Sequence, residues 1–89
     1  MRHPTAPELL QATMDVAALE ARATGELQAA QIALRERKLR RDALELLFAR
    51  GHAGRQELEA AQDATTAAEA FLEQVKMQRA VLVGSHKTL

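Results

Sequence analysis

The stretch LLFARGHAGRQELEAA, Leu46 to Ala61, ends one amphipathic helical pattern at a glycine and opens another a few residues later. Arg50-Gly51 is a helix ending: glycine takes the left-handed position after a helix at no steric cost, and a cation suits the negative end of the helix dipole. Gly54 with Glu57 is a helix start, since glycine is an acceptable N-cap and a glutamate three residues on can reach back to the free backbone donors of the first turn. The loop centres on His52 and Ala53. A connection this short makes the two flanking helices run back along each other, so the expected fold is all-α, an antiparallel two-helix coiled-coil hairpin.

Upstream, Thr5-Ala6-Pro7-Glu8 is a second start signal: Thr5 as N-cap, a proline in the first turn, and Glu8 placed to close a capping box. Apolar residues then recur at helical spacing through Leu9, Val16, Leu19, Ala23, Leu27, Ala30, Leu34, Leu44, Leu47 and Phe48. They predict a first helix over about residues 6–49, roughly 65 Å long at 1.5 Å per residue. The breaker inside it is Gly25, which costs about 1 kcal/mol against alanine in a helix interior. A break there is the alternative and would give a three-helix bundle.

A second helix is expected over about 55–83. Leu58, Ala61, Thr65, Ala68, Leu72 and Val75 alternate spacings of three and four, a coiled-coil seam with small residues in its middle, and Phe71 and Val81 flank it. Gly84, before Ser85, His86 and Lys87, is the expected stop. Folding the helices about the tip loop, 50–54, sets Leu47 near Leu58, Leu44 near Ala61, Leu34 near Phe71, Ala30 near Val75 and Val83 near Arg22. Leu9, Leu10, Met14, Val16 and Leu19 then project past the second helix. That arm is too apolar to stand in water, and self-association through it is expected.

Composition agrees with these bounds. An 89-residue chain is a single domain, taken as 1–89. It is 47% hydrophobic but 2% aromatic, so its apolar content is mainly alanine and leucine, which suit close helix–helix seams rather than a wide core. A formal net charge of zero argues against a general nucleic-acid-binding domain. With no cysteine there are neither disulfides nor thiolate metal sites. The opening MRHPTAPELLQAT has no apolar run of an export signal, and no stretch approaches the roughly 18 apolar residues of a membrane span.

The chemically suggestive groups point away from catalysis. Residues 35–41, RERKLRR, carry five cations in seven positions, while residues 56–75 hold five acids and no base. The run invites reading as a patch for an anionic partner, but a solvated helix face is the simpler account, its charges complementing the acids along or between hairpins. His3, His52 and His86 share no metal-ligand spacing, Met14 and Met77 are far apart in the folded register, and Glu57, Glu59 and Asp63 have no nucleophile or cleft beside them. No catalytic residue, metal or cofactor is assigned.

The segment RRDALELLFARGHAGRQELEAAQDATTAAEAFLEQVKMQRAVLVG, residues 40–84, resembles the α-hairpin of periplasmic adaptor subunits, the membrane fusion proteins of tripartite efflux and secretion systems. PELLQATMDVAALEAR, residues 7–22, is similar to the opening of such hairpins in the heavy-metal efflux branch. The resemblance implies a non-catalytic module whose tip, Leu47, Arg50, Gly51, His52, Gly54, Arg55 and Glu57, meets a TolC-like outer-membrane channel, and whose flanks pack beside neighbouring hairpins. Family tips often carry an arginine, a leucine four residues later and a serine seven beyond it. Here Leu47 matches the leucine, while Ala43 and Gly54 occupy the arginine and serine positions. The adaptor reading implies a periplasmic location as part of a larger chain. The alternative is a small cytoplasmic coiled-coil protein that dimerises or binds a partner helix, with Leu9, Leu10, Met14, Val16 and Leu19 as its self-association surface.

Overall fold

A computed structural model describes residue 3 and residues 5–88, with side chains as far as Val81. It consists of helix α1, Ala6–Ala49, and helix α2, Arg55–Thr88, joined by a loop of five residues and packed antiparallel. The result is a rod of 72 × 18 × 15 Å. The expected capping box starts α1: the Glu8 backbone N–H donates to Thr5 Oγ1 at 3.3 Å, and the Thr5 N–H donates to Glu8 Oε2 at 3.1 Å. Two otherwise unpaired donors at the positive end of the helix are thereby satisfied.

Helix α1 is continuous through Gly25, so the three-helix alternative is set aside. Gly25 does not take a positive φ, and a Cβ built there would meet nothing within 4 Å. The physical reason is that one glycine costs about 1 kcal/mol in a helix and stops it only where the chain gains by turning. The same reasoning corrects the far end of α2. Gly84 is not its stop, and the helical backbone runs on to Thr88.

The seam is narrow and built from small residues. Ala30, Leu44, Ala61, Leu72 and Val75 are its buried apolar members, and Leu27 and Leu34 pack against the Ala30–Leu72–Val75 cluster. Leu34 therefore meets Leu72 rather than Phe71, which is 55% exposed. Ala30 with Val75 follows the expected register, and Leu44 and Ala61, expected as partners, are both buried.

Thr65 is the buried polar member of the seam. A buried hydroxyl must find acceptors. That of Thr65 is shared between the Ala61 carbonyl one turn back, 2.8 Å, and the Arg37 carbonyl across the seam, 3.2 Å. The second contact ties the register of α2 to the backbone of α1, and it requires the two helices to run close together at this level.

Gly25→Ala removes a backbone-entropy penalty at an unobstructed helical site and is expected to stabilise the hairpin by about 0.5–1 kcal/mol. Thermal unfolding followed by circular dichroism checks this. A loss of stability would mean that the chain turns at residue 25.

Candidate interaction site at the hairpin tip

The tip is formed by the two helix ends and the five residues between them. Leu47, Phe48 and Ala49 close α1, and Gly51 follows in the left-handed conformation at φ 77°. The His52 N–H donates to the Leu47 carbonyl at 2.8 Å and the Gly51 N–H to the Phe48 carbonyl at 3.0 Å. This pair of bonds is a Schellman motif, and it satisfies carbonyls that a helix otherwise leaves open at its end. Beyond the Arg50 C-cap and the turn, the Gly54 carbonyl accepts the bond that opens α2, from the Leu58 N–H at 3.2 Å. The Glu57 carboxylate folds back to within 3.7 Å of where a Gly54 Cβ would sit.

Of the seven residues expected at the tip, Leu47, Arg50, Gly51, His52, Gly54, Arg55 and Glu57, all are exposed. Leu47 is 40% exposed, while Leu58, the seam partner expected for it, is half-buried. Leu47 thus presents much of its side chain outward at the end of the rod. Its neighbours Leu46 and Phe48 are also exposed, at 53% and 36%. Phe48 is a tip residue that the helical spacing alone assigns to the seam. The Arg55 guanidinium carbon lies 5.9 Å from the centroid of its ring, a cation–π contact that bridges the two helix ends. The pairing is not readable from the sequence, because it depends on how the loop sets the start of α2 against the end of α1.

Below the tip, Arg41 is engaged with its own helix. It is bonded to Asp42 Oδ1 through Nη2 at 2.9 Å and Nε at 3.1 Å, and its Nε lies 3.8 Å from Glu45. These contacts, led by the Asp42 hydrogen bond and joined by the fields of Glu45 and Glu69 on α2, hold its guanidinium proton more tightly than usual. The cationic run is therefore answered in part by acids of the same hairpin. Further cations line open grooves between the helices: Arg35 and Lys38 beside Leu34 and Leu72, and Arg37 and Arg40 opposite Glu57 and Ala61.

The five residues expected for self-association fall into two groups. Val16 is half-buried, and Leu19 lines a groove with Arg22, Ala23, Val75 and Arg79, so α2 reaches Leu19 and leaves it 48% exposed rather than projecting free. Leu9, Leu10 and Met14 are 54%, 62% and 57% exposed. The Val83 position expected beside Arg22 lies outside the described side chains.

Among the described residues there is no group of three metal-binding side chains, and no helix is long and apolar enough to cross a membrane. Compared with models of protein families, with curated proteins and with solved structures, the chain matches none. What the tip offers chemically is the exposed Leu47 and Phe48 at the end of α1, with the Arg55 guanidinium over the Phe48 ring and Arg50 exposed beside them.

Gly51→Ala forces a Cβ into the left-handed region and is expected to destabilise the hairpin by about 1–2 kcal/mol. Gly54→Ser, by contrast, meets ordinary contact distances and improves the cap, with an expected gain of a few tenths of a kcal/mol. Chemical denaturation of both variants checks the pair. Equal effects would contradict the different roles assigned to the two glycines.

Proposed function

We propose that this chain is a non-catalytic helical hairpin that docks end-on with a protein partner through its tip, in the manner of the adaptor hairpins that link an inner-membrane pump to a TolC-like outer-membrane channel. The observation that carries the reading is the tip itself: Leu47 and Phe48 stay exposed at the end of a 72 Å rod, with Arg50 and Arg55 beside them. A free helix end gains nothing from exposing large apolar side chains, whereas a docking end does. The length of the rod supports a spacer role. In this reading the hairpin works in the periplasm as part of a larger assembly, and partner recognition rests on Leu47 for apolar contact, on the two arginines for charge, and on backbone donors at the Gly54 start of α2.

The departures from the family pattern bear on the strength of docking. Arg41 does not replace the arginine missing at Ala43, because its guanidinium is committed to Asp42 and Glu45. Ala43 is exposed, so a longer side chain is accommodated there. Restoring the pattern with Ala43→Arg and Gly54→Ser is expected to raise crosslinking to a TolC-like channel several-fold over the parent chain, with helicity unchanged. Leu47→Asp is expected to abolish it. If no form crosslinks while all stay helical, docking to such a channel is ruled out.

A second reading, self-association as a coiled-coil protein, is favoured by the exposure of Leu9, Leu10 and Met14 on the projecting arm of α1. It predicts a melting temperature that rises with protein concentration. A concentration-independent melt would reject it.

A further inference from the structure

Helix α1 carries a second apolar face. At 3.6 residues per turn, Leu10, Met14, Ile32, Leu39 and Leu46 fall within an arc of about 40°, nearly opposite the seam residues Leu27, Ala30, Leu34 and Leu44. All five are exposed, between 53% and 64%, and Leu39 also borders the open groove beside Leu34 and Leu72. The positions between them on the same face are Ala21 and the neutral Gln28, with Gly25 and Ala43 along one edge and Ala17 and Arg35 along the other. Gly25 has open space where a Cβ would stand. Leu9, Val16 and Leu19 do not belong to this face, because their spacing places them on the seam side.

We infer that the outer face of α1 binds the same face of a second copy of this chain, antiparallel, about a twofold axis near Gln28. This deepens the self-association reading by assigning its face and its direction. Three features select that occupant. First, most large residues meet small ones under this pairing: Ile32 falls level with Thr24 and Gly25 of the second copy, Leu39 with Ala17 and Ala18, and Met14 with Asp42 and Ala43, while Leu10 meets Leu46. Second, the pairing sets Lys38 close in level to Glu20 of the second copy and Arg40 close to its Asp15, each pair on the same flank of the face, while Arg37 and Arg41 fall on the seam side and take no part. A parallel pairing would set Arg35, Lys38 and Arg40 beside their own copies. Third, the strip is about 54 Å long from Leu10 to Leu46 and about 10–12 Å wide, roughly 600 Å² per copy, which passes the total of about 1,000 Å² that a specific interface needs.

The chain has no native cysteine, so placed thiols report the geometry cleanly. In a glutathione redox buffer, Gln28→Cys is expected to form a disulfide-linked dimer, and Leu10→Cys chains to link to Leu46→Cys chains but not to each other. In sedimentation, Ile32→Glu with Leu39→Glu is expected to weaken dimerisation at least tenfold at unchanged helicity, since neither side chain is buried in the hairpin. A parent chain that sediments as a monomer at tens of micromolar overturns both this inference and the self-association reading. A dimer that survives in the glutamate variant but is lost in Leu9→Asp with Val16→Asp overturns the outer-face assignment alone. Leu10→Cys chains that link to each other as readily as to Leu46→Cys chains overturn the antiparallel direction.

Discussion

The left-handed backbone at Gly51 is the constraint on which the rest of this molecule depends. A helix end leaves carbonyls without partners, and the chain can close them locally only by reversing its twist for one residue. Because Gly51 does so, at φ 77°, α1 stops at Ala49 and α2 starts at Arg55. The antiparallel arrangement, the pairing of the seam and the position of every tip side chain follow from those two boundaries.

The seam shows why small residues are needed once the direction is set. Alanines at 30 and 61 bring the backbones close enough for the Thr65 hydroxyl to reach the Arg37 carbonyl across the interface. Larger residues would fill the same space but hold the helices apart and leave that hydroxyl with its own helix alone. The core is thin in consequence, and several large apolar side chains remain at the surface, at the tip, along the outer face of α1 and on α2 at Phe71, Met77 and Val81.

The hairpin, its loop and its caps are legible in the sequence because each rests on local chemistry. Thr5 and Glu8, Gly51, and Gly54 each act within a few residues of themselves, and the spacing of the apolar positions is a property of the helix alone. Gly25 and Gly84 are harder to read, since a glycine ends a helix only when the following chain has somewhere to go. The neighbour relations that the sequence misplaces are lateral ones. Leu34 packs with Leu72 rather than Phe71, and Phe48 lies under Arg55, because the rotation of one helix against the other decides both. The tip residues are legible as a group, but their exposure is not: only the finished turn settles that Leu47, a seam position by spacing, stays 40% exposed.

The order of the contacts along the rod has a consequence for how the chain reaches this shape. Residues that meet near the tip are close in sequence, whereas Ala30 and Val75 are separated by both arms of the hairpin. Since the entropy lost on closing a loop grows with the length of chain enclosed, the seam forms most cheaply beside Gly51 and then extends downward, each closed turn shortening the loop for the next. Most contacts of the domain are local to its helices, and the long-range ones can be added in order, as in a zipper drawn from one end. The glycine that directs the turn is in this way also the natural starting point of assembly, and the Thr65–Arg37 bond marks the first place where a slipped zipper would be noticed.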